Sequence, residues 1–446
     1  MMSDDSGATR VVVVGLGYVG LTLAVALAQR GLQVVGLERR AEVVDMTNRG
    51  QPHFSEAGLA KALASVVESG HLVACTVLDP AARADYYIIT VGTPLIAGTT
   101  MPRLDMIEAA SREVAEHMGE GASVILRSTV KLGTTRQVVR PILAASGKQF
   151  HLSMCPERTL EGAAMQELAV LPQVVSGETP RAADLAAGLF SRLTSTIMRV
   201  SSLEAAEMIK LIDNTSRDVR FAFANEVARA CDAAGINAGE VIRVGKFGYP
   251  RTDVALPGLV GGPCLEKDPH ILMASLADFG TELEITRACR LVNERQPAET
   301  VGDVLARLAE RGPGPWRVAV AGIAFKGRPV TDDLRGAMSL KVIDCLMAAP
   351  GVAEVVLYDG VVAAEELAAV RPGVRVATSV EEACAGASCL LITNNHPEYT
   401  ALDLDACCAA MGPAGFVYDY WASLVERPAN ELAGRYFGVG NNRGLC

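Results

Sequence analysis

RVVVVGLGYVGLTLAVALAQRGLQVVGLERR, residues Arg10–Arg40, decides the fold. Residues 10–15 are a β-branched run without polar alternation, the pattern of a parallel strand buried on both faces. Gly15-Leu16-Gly17-Tyr18-Val19-Gly20 is a GxGxxG that leaves this strand and opens a helix predicted over residues 18–30. Val34–Glu38 reads as a second strand, and the acid that ends it stands 18 residues after Gly20. A lone GxGxxG says little. Set between strand and helix, with an acid closing the next strand, it is a dinucleotide-binding fingerprint. The glycines let the backbone approach a pyrophosphate, and the helix N-terminus offers amide donors and a positive dipole. Glu38 can accept hydrogen bonds from a ribose and would repel a 2′-phosphate, which favours NAD over NADP. Arg39 and Arg40 are the counter-argument. The plainer alternative is a glycine turn that holds no ligand.

Outward from this stretch the alternation continues. Tyr86–Val91 and Ser123–Ser128 are further strands with helical stretches between them, which implies a doubly wound parallel sheet. The pattern changes near Ser201. Leu203–Ala234 is free of proline and carries apolar residues at three- and four-residue spacing. Such a segment makes a helix of about 45 Å if unbroken. Glu282–Glu294 is also helical, and Arg311–Pro315 (RGPGP) reads as a linker. Alternation then resumes, with strands at Arg317–Ala321, Glu354–Tyr358, Ala387–Thr393 and Gly415–Asp419 and a helix at Ser339–Met347. The expected class is α/β, with two Rossmann-like doubly wound domains joined by a helical core. The expected boundaries are 1–200 for a cofactor domain, 201–310 for a helical central and dimerisation domain, and 311–446 for a second Rossmann-like domain.

Composition agrees. The 446 residues amount to about two to four domains. With 50% hydrophobic and 21% charged residues, each domain can bury a core, and disorder is excluded as the main state. The net charge of −10 argues against general nucleic-acid binding. No apolar run reaches the about 18 residues of a membrane helix. The start, MMSDDSGATR, has no signal-peptide core. The eleven cysteines are scattered, without paired CxxC motifs, so no metal site is expected and the reading is free thiols in a reducing cytoplasm.

The most informative later segment is GGPCLEKDPH, Gly261–His270. Glycine and proline beside a cysteine make a tight, exposed turn. Lys267 nearby favours thiolate, and Asp268 shares a helical face with Cys264 if the turn enters a helix. A thiol in a merely structural turn is the alternative. Lys210 and Asn214 stand four apart and project from one face of the long helix. There they are either a solvated lysine and a surface asparagine, or two donors aimed at one oxygen.

GLGYVGLTLA (Gly15–Ala24), STVKLGTT (Ser128–Thr135), CPERTLEG (Cys155–Gly162), EMIKLIDNTSRDVRFAFANE (Glu207–Glu226), GLVGGPCLEKDP (Gly258–Pro269), GIAFKGRPVTDDLRG (Gly322–Gly336) and FVYDYW (Phe416–Trp421) occur in this order. In that order they resemble the nucleotide-sugar 6-dehydrogenases, the family of UDP-glucose and UDP-N-acetylhexosamine dehydrogenases. The resemblance runs over nearly the whole chain. It implies a four-electron oxidation of the carbon-six alcohol of a UDP-sugar by NAD, through a cysteine thiohemiacetal and thioester, to a uronate. It further implies Cys264 as nucleophile, Asp268 as general base or water-holder, and Lys210 and Asn214 as oxyanion stabilisers. Glu157 would assist thioester hydrolysis through a water that Thr129 also holds, and Glu161 and Arg158 would support the sugar. Thr93 and Thr129 would lie beside the cofactor, with Gly15, Gly17, Tyr18, Val19, Gly20 and Glu38. Phe325 and Lys326 would grip the nucleotide, and Arg251 would reach the neighbouring subunit's site in a homodimer.

The chain departs from the glucose branch of that family. Arg158 follows the Pro-Glu where that branch has phenylalanine. The nucleophile loop reads GGPCLEKDP, not GGSCFxKD. The Arg251–Cys264 spacing of 13 is short. All three lean towards an N-acetylated sugar, with UDP-glucose as the alternative. Tyr420-Trp421 stands where the glucose branch has an arginine, and Cys155 where an asparagine is usual. Two rivals make fewer demands: a β-hydroxyacid or 6-phosphogluconate-type dehydrogenase needs no cysteine, and a nucleotide-sugar-binding scaffold needs no chemistry. Cys264 and the C-terminal α/β domain speak against the first. The presence of every residue the chemistry needs speaks against the second.

Overall fold

Arg10–Val14 forms strand β1 of a sheet whose other strands are β2 (Gln33–Leu37), β3 (Leu72–Cys75), β4 (Tyr86–Ile89), β5 (Ala122–Leu126), β6 (Phe150–Met154), β7 (Gln173–Gly177) and β8 (Ile197–Arg199). The computed structural model describes residues 9–79, 83–421 and 434–441; the polar start read above, residues 1–8, lies outside them. The strand order is β3-β2-β1-β4-β5-β6-β7-β8, and all neighbours are parallel except the antiparallel pair β6 and β7. Successive side chains of a strand point to opposite faces. Val11 and Val13 therefore enter the core with Leu21 and Leu27, while Val12 and Val14 enter the core with Tyr87 and Ile107. Both faces are covered, which is why the strand could be apolar throughout. A fully buried Val or Leu contributes about 1.5–3 kcal/mol.

A second sheet repeats the plan with β9 (Trp316–Ala321), β10 (Val352–Tyr358), β11 (Arg375–Val376), β12 (Cys389–Ile392), β13 (Phe416–Asp419) and β14 (Tyr436–Phe437). Its order is β11-β10-β9-β12-β13-β14, and every pair is parallel. Val318 and Val320 enter one core, Ala319 and Ala321 the other. The α/β class and the two doubly wound sheets are thus as the alternation implies.

The described residues fall into two compact units, the first made of those up to Asp213 together with His270–Glu282, the second of Asn214–Pro269 together with those from Leu283 onward. One helix, Leu203–Ala234, runs unbroken from the first into the second. The other long helix is longer than its sequence pattern suggests. It spans Glu284–Arg311 and passes through Pro297. Proline lacks an N–H and usually ends or kinks a helix. Here Val301, Val304 and Leu308 beyond it join the core of the second unit, and that burial carries the helix onward. No helix among the described residues is long and apolar enough to cross a membrane.

The turn after β1 depends on two glycines. Gly15 has φ +91°, a left-handed conformation that favours glycine. A Cβ on Gly20 would stand 1.8 Å from the carbonyl oxygen of Gly15, so the helix Tyr18–Gln29 can approach β1 only with glycine there. Gly20→Ala is expected to destabilise the chain by about 1–3 kcal/mol, as overpacking does, and to weaken NAD binding. Thermal unfolding with and without NAD checks both.

Candidate active site

In the first unit the loop after β1 opens the helix Tyr18–Gln29, which has no acidic residue in its first turn. A Cβ on Gly17 would meet nothing within 4 Å, so the backbone is bare on the side where a pyrophosphate would approach. The amide of Gly15 donates to the carbonyl of Leu37, and the Thr90 hydroxyl donates to the carbonyls of Val14 and Gly15. Glu38 follows β2. Its carboxylate accepts from the Leu16 amide at 3.0 Å and from the backbone and Nε of Arg40 at 3.1 and 3.3 Å. Burial by itself would raise its pKa. The bonds from Arg40 and Leu16 outweigh burial and hold the carboxyl below the usual range. Arg40, read above as a possible phosphate ligand, is thereby occupied by Glu38. Tyr18 stacks on Phe54 at 4.7 Å between centroids, and its Oη accepts from the Gly162 amide at 2.6 Å. Val19 lies in the helix's first turn. Donors, bare backbone and acid fit a dinucleotide.

The loops beyond β4 and β5 are tied together, because the Thr93 hydroxyl donates to the carbonyl of Thr129 and that of Ser128 to the carbonyl of Val91 at 2.6 Å. The start of the long helix holds the same segment. Glu207 accepts from the amides of Gly133 and Thr135 and from the Thr135 hydroxyl. Burial pushes its carboxyl above the usual range despite those donors.

Glu157 is buried beneath the Cys155–Gly162 loop by a residue that sequence reading passed over. Arg127, 1% exposed, donates through Nε and Nη2 to Glu157 Oε2 at 3.0 and 2.7 Å. It also donates to the carbonyl of Cys155 and to Gln173 Oε1, and it stacks over Phe190 at 4.7 Å. Glu157 Oε1 accepts from the amides of Arg158 and Thr159 at 2.7 and 2.9 Å. All four acceptor positions of the carboxylate are filled. Burial would raise its pKa, but the Arg127 charge and these bonds more than reverse that, so the carboxyl sits below its ordinary value. Arg158 extends from the loop and donates through Nε to Asp213 of the long helix at 2.9 Å. Glu161 is half-buried in the same loop. Lys210 is 8% exposed, and no hydrogen bond or ion pair is found for it among the described residues.

In the second unit Asn214 Nδ2 donates to Asp268 Oδ2 at 2.5 Å, and Lys267 Nζ donates to Asp268 Oδ1 at 2.6 Å. Asp268 is fully buried and begins the helix Asp268–Ala277. Cys264 is exposed on the four-residue helical turn Gly262–Leu265. The glycines before it are packing requirements. A Cβ on Gly262 would stand 2.4 Å from the Phe325 ring, and one on Gly261 2.3 Å from the carbonyl of Gly336. From below, buried Arg290 donates to the carbonyls of Leu265 at 2.6 Å and Val260 at 3.2 Å, and pairs with Asp218 at 2.6 Å. Asn225 bonds both the amide and the carbonyl of Gly258. The cysteine turn is thus held at both ends by buried polar side chains.

Beside it opens a cavity of about 470 Å³. The loop contributes Leu256, Leu259, Val260, Gly261 and Leu265; Phe325, Lys326 and Trp421 face it from the second sheet's loops. Arg217, Arg328 and Asn395 add polar groups, and no Asp or Glu is among the described residues that line it. Trp421 Nε1 donates to the carbonyl of Thr393 at 2.9 Å, while Tyr420 is buried with its hydroxyl on Gln296. Arg251 does not line this cavity. It is exposed and stacks on Tyr249 at 4.7 Å.

Residues 9–194, 204–295 and 319–426 match, in order, the NAD binding domain, the central domain and the UDP binding domain of the UDP-glucose/GDP-mannose dehydrogenase family. The chain belongs to this family. It is 34% identical over 406 residues to the UDP-N-acetyl-D-mannosamine dehydrogenase of Pyrococcus horikoshii, covering 89% of this chain and 92% of that one. With the Escherichia coli K12 UDP-N-acetyl-D-mannosamine dehydrogenase it shares 32% over 411 residues, 88% of this chain and 95% of that one. The solved P. horikoshii UDP-D-ManNAc dehydrogenase superposes with a TM-score of 0.87 at 32% identity, over 98% of this chain and all of that one. A UDP-glucose dehydrogenase from Pyrobaculum islandicum gives 0.85 at 28% identity, over 99% of each chain. The family resemblance read from the motifs is therefore borne out, and with it an NAD-dependent dehydrogenase.

The state of Glu157 is measurable without turnover. Its depressed folded pKa contributes stability above the unfolded value of about 4.3, and this is lost as pH falls through the folded value. Glu157→Gln is expected to lower the urea midpoint at about pH 6, and the gap to wild type to narrow as pH falls towards about 3. Urea titrations of both proteins across that range check it.

Proposed function

We propose that the chain oxidises the carbon-six alcohol of a UDP-sugar to the carboxylate in two NAD-dependent steps, with a UDP-N-acetylhexosamine as substrate and UDP-glucose as the alternative. The observation that carries this reading is the exposed Cys264 thiol on a rigid glycine turn between two residues, Gly261 and Leu265, that line a cation-bearing cavity. The domains we assign are 1–200 for NAD, 201–310 for the helical centre and 311–446 for the nucleotide-sugar.

NAD, when bound, accepts a hydride from carbon six in each oxidation. Gly15, Gly17, Tyr18, Val19, Gly20, Glu38, Thr93 and Thr129 are the residues assigned to hold it. The first oxidation leaves an aldehyde. The Cys264 sulfur bonds to its carbon and the oxygen takes a proton, giving a thiohemiacetal. Loss of that proton and of a second hydride leaves a thioester. Water then adds to the carbonyl, the C–S bond breaks, and thiol and uronate separate. A thiolate suits this role because it is intrinsically nucleophilic at neutral pH.

Lys210, buried without a bonded partner among the described residues, keeps its donors for an oxyanion. Asn214 has one amide hydrogen on Asp268 and a second to offer. Asp268 is assigned the proton transfers beside the sulfur. Glu157, its acceptor positions filled, is assigned to thioester hydrolysis as a fixed charge, and Thr129 is assigned to hold the water. Glu161 and Arg158 are assigned to the sugar, Phe325 and Lys326 to the nucleotide. Arg158, its Nε on Asp213, is assigned to an acetamido carbonyl through its Nη groups. A site that hydrogen-bonds such a group rejects the analogue lacking it, because its own donors are left unpaired.

Homodimerisation belongs to the same reading. Val244 and Phe247 are 68% and 90% exposed on and just after the helix Ala238–Lys246. Tyr249 and Arg251 follow. Exposed apolar side chains so close in sequence support coverage by a second copy, with Arg251 assigned across the interface.

Side-by-side kinetics on UDP-glucose, UDP-N-acetylglucosamine and UDP-N-acetylmannosamine should give two NADH per sugar and a preference of orders of magnitude for an N-acetylated substrate. One NADH per sugar contradicts the two-step chemistry, and a UDP-glucose preference contradicts the sugar assignment. Cys264→Ser should lose turnover and keep UDP-sugar binding by calorimetry; turnover near the wild-type rate removes the thiol from the mechanism. Sedimentation should find a dimer, and an active monomer would overturn Arg251's assigned place.

A further inference from the structure

We propose that Arg217 is a substrate-binding residue that holds the diphosphate of the sugar nucleotide. This rests on the UDP-sugar reading above. Arg217 lies within the Glu207–Glu226 stretch of the long helix, three residues after Asn214, and it lines the cavity beside the cysteine turn. The loop that closes the same cavity, Thr252–Val260, contributes no cation. Its only charged side chain, Asp253, is paired with Arg220, and the residues it turns inward are Leu256, Leu259 and Val260.

The positive charge in the cavity therefore comes from three side chains, Arg217, Lys326 and Arg328. Two of them are already engaged. Arg328 donates through Nε to the carbonyl of Asn395 at 3.3 Å, and Lys326 lies over the Phe325 ring with Nζ 5.1 Å from its centroid. For Arg217 no hydrogen bond or ion pair is found among the described residues. Its planar fork of donors is free for a partner, and the carboxylates that would compete are missing from the lining. Three cations facing one small cavity raise the local potential and favour an anion. A diphosphate presents the oxygens that a guanidinium binds bidentately. Phe325 and Trp421 in the same lining offer flat apolar surface to the rest of the nucleotide.

Calorimetry with UDP and with uridine tests the assignment. Arg217→Met is expected to weaken UDP binding about 10–100-fold, two charge-assisted hydrogen bonds being lost, with uridine affinity unchanged. Arg217→Lys should restore part of the loss. Arg220→Met, three residues on and directed at Asp253, should leave UDP binding as in wild type and serves as control. Wild-type UDP affinity in Arg217→Met overturns the proposal, as does an equal loss for UDP and uridine, which would make Arg217 a wall and not a phosphate ligand. If wild type itself fails to bind UDP, the nucleotide-sugar reading of this cavity fails and the proposal with it. NAD binding and the melting temperature of each variant separate these outcomes from misfolding.

Discussion

A guanidinium removed from water must find protein acceptors for its N–H groups, and the elements that supply those acceptors lose their freedom to move. Arg290 imposes this constraint beneath the cysteine turn. It draws the carbonyls of Val260 and Leu265 and the carboxylate of Asp218 onto one plane of donors, and Asn293 Nδ2 donates to the same carboxylate oxygen. Replacing such a pair with apolar groups can be neutral, but removing one partner costs about 3–5 kcal/mol. The turn that carries Cys264 is therefore coupled to the folding of its whole unit. A thiol on a four-residue helical turn would otherwise have little to fix it.

Arg127 does the same in the other unit. There the acceptors are Glu157, the carbonyl of Cys155 and Gln173, and what is fixed is the loop bearing Arg158 and Glu161. The two units share more than this device. Both sheets follow the order 3-2-1-4-5-6 in their first six strands, an arrangement in which ligands of open α/β sheets bind at the strand ends. Each unit pairs a rigid sheet with a loop pinned from beneath by a buried cation.

Much of this was legible in the sequence. Continuous β-branched runs such as RVVVVG announce strands buried on both faces, and β1, β2, β4 and β5 lie where the pattern puts them. The long helix runs over the very residues its periodicity marks, Leu203–Ala234. β3 and β14 are too short, and β7 too mixed, to be separated from loop by pattern. The helix Glu284–Arg311 outran its sequence pattern because burial of Val301, Val304 and Leu308 overrides the local preference of Pro297. In the candidate site, motif spacing draws attention to single residues such as Lys210 and Cys264, but it carries no signal for side chains whose surroundings only the fold supplies. Arg127 and Arg290 look like surface arginines until the fold closes over them, and no local spacing distinguishes Arg217 from Arg220, one facing a cavity and the other a surface aspartate.

The bond between Glu38 and Arg40 has a consequence for how this chain can diverge. The carboxylate that would repel a 2′-phosphate also holds the Nε of Arg40, one of the two arginines that could attract one. Loss of the acid removes a repulsion and frees an attraction together. On the reading that assigns Glu38 to the ribose, a change at this one position would alter both contributions to the choice of nicotinamide cofactor at once.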